Sequence, residues 1–204
     1  MKNVYLLVLG ALIVLVSAAA IQPQSYEVGD YVADFKLRNV DGKEVSLANY
    51  ANSKGLIVVF TCNTCPYAKL YEDRIIALNK QFAPKGYPVV AINPNDPSQQ
   101  AGDSYQEMQK RSKEKAYDFP YLQDNTGAVA KAFGATRTPH IYILNKEAKG
   151  FKVEYIGAID NNHKDAAAAD QKYVEEAIGQ LMSGKKPKTT STKAIGCTIK
   201  WKEA

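Results

Sequence analysis

"GLIVVFTCNTCPYAKLYEDRIIALNKQF", residues 55–82, holds an apolar run, two cysteines separated by two residues, and an amphipathic stretch, in that order. Leu56-Ile57-Val58-Val59-Phe60 has no polar alternation, which is the pattern of a strand covered on both faces. After Pro66, the residues Tyr67, Tyr71, Ile75, Leu78 and Phe82 recur at helical spacing, with Lys69, Glu72, Asp73, Lys80 and Gln81 between them. Pro66 suits a first helical turn, where an amide would have no partner anyway. Cys62 and Cys65 are therefore expected at a strand-to-helix corner, in or beside the first turn.

The rest of the chain supplies more strands and helices around this unit. Asp34 to Leu37 and Val40 to Leu47 read as a hairpin around Asp41-Gly42. A second buried strand, Tyr87 to Ile92, ends in the turn formers Asn93-Pro94-Asn95-Asp96-Pro97. A polar helix over about 98–117 follows, then Phe119-Pro120-Tyr121-Leu122, a short helix from Ala128 to Phe133, and a third apolar strand, Ile141 to Leu144. Val153 to Ile159 alternates like a half-exposed strand, and a last helix is expected from about Lys164 to Met182, stopped by Gly184 and Pro187. Strands alternating with helices predict an α/β layer fold with the sheet in the middle.

The start of the chain has its own pattern. Met1-Lys2-Asn3, an apolar run from Val4 to Val16 and the small residues Ser17 to Ala20 have the layout of a secretory signal peptide. The expected organisation is a signal peptide over 1–20, one domain over 21–184 and a basic tail over 185–204 that docks on it. The expected localisation is exported, periplasmic or secreted, with no stable membrane insertion once the signal is cleaved. Six lysines and one glutamate give the tail a formal +5, and the body is close to neutral. An exported, near-neutral body argues against a nucleic-acid partner.

Of the chain's three cysteines, Cys62 and Cys65 admit several readings. Haem attachment needs C-x-x-C-H, and position 66 is proline. A zinc site would have to recruit Cys197 and His140 or His163, but the second short-spaced ligand pair of structural zinc sites is missing. A static staple closing so small a loop would remove little chain entropy. A redox pair accounts for the surroundings as well, because helix N-termini stabilise the thiolate that attacks a disulfide. On this reading Cys62, taken as the more exposed, attacks, and Cys65 resolves the mixed disulfide. No metal is assigned, and no motif points to a cofactor.

Strand, C-x-x-C corner, helix and a later Thr138-Pro139 together resemble the thioredoxin superfamily. The likeness is closer to its redoxin branch, the peroxiredoxin-like (AhpC/TSA) and TlpA/ResA-like proteins. It runs from about Tyr26 to Leu181, and is most specific at Cys62-Asn63-Thr64-Cys65-Pro66 and Gly134-Ala135-Thr136-Arg137-Thr138-Pro139. The resemblance implies a thioredoxin-like fold: a central mixed sheet flanked by helices, an N-terminal β-hairpin and a C-terminal extension. It also implies a cis Pro139 facing the cysteines, with the Thr138 backbone free to pair with an extended substrate strand. The expected activity is exchange of electrons with protein dithiols or disulfides, with a further, unidentified redox partner regenerating the site.

Two alternatives stay open. A peroxiredoxin places its cysteine in P-x-x-x-T-x-x-C, a register that neither Cys62 nor Cys65 fits; Arg137 is the candidate guanidinium for that chemistry. A binding module using the Thr138-Pro139 groove without turnover would have no need of the second thiol. The site departs from W-C-G-P-C-K, with Thr61 in place of tryptophan and Asn63-Thr64 in the centre. No buried carboxylate that relays protons to the second cysteine can be identified.

Cys197, in the ending Gly196-Cys197-Thr198-Ile199-Lys200-Trp201, is read as an inert residue in preference to a second resolving thiol. His140 adjoins Pro139 and is read as a packing or surface residue; His163 is expected to face solvent.

Overall fold

The computed structural model describes residues 25–203. The expected signal peptide therefore lies outside the described residues. Among the described residues nine strands are formed: β1 Lys36–Asn39, β2 Glu44–Ser46, β3 Gly55–Phe60, β4 Val89–Asn93, β5 Tyr121–Gln123, β6 Arg137–Thr138, β7 His140–Glu147, β8 Gly150–Gly157 and β9 Cys197–Thr198. The α-helices are α1 Pro66–Phe82, α2 Tyr105–Glu114, α3 Ala128–Phe133 and α4 Tyr173–Met182. Seven strands make one mixed sheet in the order β2-β1-β5-β4-β3-β7-β8, and β6 pairs with β9 apart from it. This is the thioredoxin-like architecture that the resemblance implies.

The central strands are apolar because both faces are covered. Ile57 and Val59 of β3 pack with Tyr71, Ile75, Leu78 and Phe82 of α1, Met108 of α2, and Val174 and Ile178 of α4. Leu56, Val58 and Phe60 project to the other face, against Ala130 and Phe133 of α3 and Ile199 of the tail. β3 runs parallel to β4 and antiparallel to β7, so its end delivers the chain to Cys62 between two supported strands. The first hairpin closes as read, with Lys36 opposite Ser46 and Gly42 at φ +86, a conformation in which a side chain would be strained.

Three local expectations are corrected. Glu72, expected on the polar side of α1, is buried; Arg111 of α2 engages it through two hydrogen bonds and Lys115 lies nearby, which ties the two helices together. The last helix starts at Tyr173, not near Lys164. The Asn162 side chain accepts from the Lys164 and Asp165 amides, and Asp165 from Ala167, so local side-chain bonds compete with a helix there. β8 is largely buried, and ends at Gly157. Among the described residues no helix is long and apolar enough to cross a membrane.

Candidate functional site

Cys65 is the N-cap of α1 and Pro66 its first residue. The helix amides thus face Cys65 most directly, while Cys62 lies at the end of the β3 exit. Both cysteines are buried, each with 3% exposure, so the expectation that Cys62 is the more exposed is corrected. Burial pushes the Cys62 thiol up from its ordinary pKa, with the nearby Asp103 charge adding to the rise. The Thr138 hydroxyl and the Thr64 and Cys65 amides work against it.

Thr138 is the residue on which the site converges. Its hydroxyl lies 3.2 Å from the Cys62 sulfur, and its carbonyl oxygen 3.2 Å from the Cys65 sulfur. The Thr138–Pro139 peptide is cis. β6 does not offer its backbone to solvent, because β9 pairs with it antiparallel, Thr138 opposite Cys197 and Arg137 opposite Thr198.

Cys197, read as an inert residue, has its sulfur joined to that of Cys65. Their Cα atoms are 5.9 Å apart across 132 residues of sequence, and Cys62 is left as the free thiol. The tail is seated by further contacts. Arg137 Nη1 donates to the Gly196 carbonyl at 2.9 Å, so this guanidinium holds the tail. The Lys200 amide donates to Asn95 Oδ1 at 2.9 Å, and the Asp96 backbone amide donates to the Lys200 carbonyl at 2.8 Å. Ile199 is buried, and Trp201 lies against Gly127. A groove lined by Cys62, Thr64, Cys65, Pro66, Asn95, Gln100, Cys197, Thr198 and Lys200 marks where the tail meets the cysteines.

Beneath the C-x-x-C turn lies a carboxylate that the sequence does not announce. Asp103 is fully buried and accepts from the Asn63 amide at 2.6 Å and the Thr64 hydroxyl at 2.7 Å. It also accepts from the side-chain amides of Asn93 at 3.3 Å and Asn95 at 2.8 Å. Four neutral donors replace water around this charge, and two of them belong to the dipeptide between the cysteines. Asn63 is fixed further by the Tyr121 hydroxyl, which donates to its Oδ1 at 2.9 Å, and by its own bond to the Gly102 carbonyl. The available signal was the run Asn93 to Asp96, whose asparagines serve the site as well as the turn.

His140 is buried against Tyr142, and its Nδ1 has no hydrogen-bond partner among the described residues. Burial lowers its pKa from 6.5 to about 4, which holds the ring neutral near pH 7. It packs, as read. His163 is half-buried, with its ring 5.1 Å from that of Tyr67, which corrects the solvent-facing expectation. Among the described residues no three His, Cys, Asp or Glu side chains gather as metal ligands.

Two solved structures resemble most of this chain. A hypothetical protein from Sinorhizobium meliloti is 31% identical with a TM-score of 0.81, covering 89% of this chain and 98% of its own. An uncharacterized conserved protein from Geobacillus kaustophilus is 34% identical with a TM-score of 0.80, covering 87% and 94%. A Helicobacter pylori protein designated a peroxiredoxin, bcp, is 32% identical over 73 residues, 36% of this chain and 48% of that one. The chain thus spans about half the length of the curated relatives it matches. Thioredoxin-like structures at 17 and 21% identity share the fold alone. The AhpC/TSA family matches residues 28–156, and with the fold and the cysteine-bearing corner in place this chain belongs to that family of redoxins.

Proposed function

We propose that this protein is an exported thiol–disulfide oxidoreductase that exchanges electrons with cysteines of other polypeptides through Cys62 and Cys65. The observation that carries the reading is the convergence of cysteine sulfurs on Thr138, whose backbone edge takes an extended, cysteine-bearing segment. In the reducing direction the Cys62 thiolate attacks a substrate disulfide, forming a mixed disulfide and releasing one substrate thiolate. The Cys65 thiolate then attacks Cys62, releasing the second, and the protein is left with a Cys62–Cys65 bond. The oxidising direction retraces these steps. Asp103 and the Gly102 carbonyl hold Asn63, and so restrain the turn that carries both sulfurs. The layout at residues 1–20 supports export, in a compartment where such a disulfide persists.

Membership of a family that contains peroxiredoxins favours peroxide reduction as the second reading. Against it, Arg137 is committed to the Gly196 carbonyl, and no threonine precedes either cysteine at the peroxiredoxin spacing.

The deciding experiment follows insulin reduction and hydrogen peroxide consumption by the reduced protein side by side. Insulin turnover that falls at least 100-fold in both Cys62→Ser and Cys65→Ser supports the exchange reading. Rapid peroxide consumption by the reduced wild-type protein would replace it with the peroxidase reading.

A further inference from the structure

The tail occupies the edge on which the exchange reading places a substrate. β9 is extended, antiparallel to β6, and bears a cysteine joined to one sulfur of the C-x-x-C pair. Gly196, just before that cysteine, lies so close to the Thr138 carbonyl that a Cβ there would overlap it. The segment therefore sits backbone to backbone in the groove. Three sulfurs share one threonine: Cys62 by its hydroxyl, Cys65 by its carbonyl and Cys197 by strand pairing. Any bond between two of them leaves the third free.

We propose that the C-terminal strand is the site's own bound substrate and Cys197 a third exchanging thiol, so that the oxidised protein interconverts between a tail-closed Cys65–Cys197 form and an open Cys62–Cys65 form. The proposal rests on the exchange reading above. In the step, the Cys62 thiol gives its proton to water and its thiolate attacks the Cys65 sulfur. The Cys62–Cys65 bond forms, the Cys65–Cys197 bond breaks, and its electron pair leaves on Cys197, which takes up a proton. Both forms lack the same two electrons, so the step needs no oxidant or reductant.

Once Cys197 is free, β9 is held by a two-residue strand pair, the Arg137 bond and the contacts at Asn95, Asp96, Ile199 and Trp201. An extended polypeptide segment with its own cysteine can then compete for the Thr138 edge. Asn95 links the two halves of the device. Its side-chain oxygen holds the Lys200 amide and its side-chain nitrogen donates to Asp103, under the C-x-x-C turn.

The test uses the full oxidised chain without reductant. It is pulsed with N-ethylmaleimide, quenched in acid and digested, and mass spectrometry locates labels and disulfides. Wild type is expected to accumulate label on Cys197 together with a Cys62–Cys65 bond. In Cys62→Ser, and in Cys62→Ala should the serine variant fold poorly, the Cys65–Cys197 bond should persist and Cys197 label at least tenfold more slowly. Equal labelling of Cys197 with and without Cys62, or label confined to Cys62 in wild type, overturns the proposal. Cys197→Ser separates the two readings, because it keeps the C-x-x-C pair and loses the covalent closure. Insulin turnover by this variant without any exchange in wild type removes the tail proposal alone; no turnover by either protein removes the oxidoreductase reading with it.

Discussion

Asp103 shows how much one residue can carry in this site. Its carboxylate is fully buried with no cation among its hydrogen-bond donors, and two of the four donors come from Asn63 and Thr64, between the cysteines. Asp103→Asn sets an amide nitrogen against groups that all donate, and should cost roughly 2–3 kcal/mol, read as a lower urea midpoint. The same change removes the negative charge that helps keep the Cys62 thiol up. Alkylation of Cys62 in the reduced variant should therefore reach its half-maximal rate at lower pH than in wild type. An unchanged or raised midpoint would mean that burial alone sets the thiol. The cysteines were legible in the sequence from their spacing and the flanking periodicities. Asp103 was not, because its role depends on the chain from Asn93 to Asp103 folding back under the corner, and no spacing rule encodes that approach.

At the level of elements, β3 and α1 are specified locally and β9 is not. A six-residue apolar strand, a proline at the first helical position and a 3.6-residue apolar stripe mark the corner in the local sequence, and β4 and β7 then flank the strand. β9 has two residues and one partner strand, so it depends on distant groups to hold it: β6, Asn95, Asp96, Arg137 and the bond to Cys65. Gly196 is its critical position. Gly196→Ala drives a methyl into the Thr138 carbonyl, which belongs to the backbone and cannot move aside cheaply. In the oxidised variant, disulfide mapping should show the Cys65–Cys197 bond depleted several-fold and Cys62–Cys65 in its place. An unaltered map would show that the tail docks without this close contact. The stretch before α4 teaches a related lesson, since Asn162 and Asp165 draw backbone amides into local turns where a helix pattern was read.

For the molecule as a whole, stability should depend on pH through the core as well as the surface. His140, on the central strand β7, has its pKa lowered from 6.5 to about 4 by burial, so the folded protein prefers the neutral ring. Its contribution is fully present above the ordinary value of 6.5 and is lost as pH falls towards 4. At ~1.4 kcal/mol per pH unit, that interval amounts to on the order of 3 kcal/mol. Urea unfolding at pH 7 and pH 4.5 should show a smaller loss in His140→Phe than in wild type; equal losses would place the acid sensitivity elsewhere. The sequence by itself determined the α/β fold class and the cysteine-bearing corner, because apolar periodicity and motif spacing are short-range and survive in a linear reading; that Thr138-Pro139 meets the corner came only from the resemblance to the thioredoxin superfamily. Only the tertiary structure decided the partner of Cys65, the buried place of Asp103 and the occupant of the Thr138 edge. Each of these joins segments tens to more than a hundred residues apart, and which segments meet is settled by packing of the whole chain.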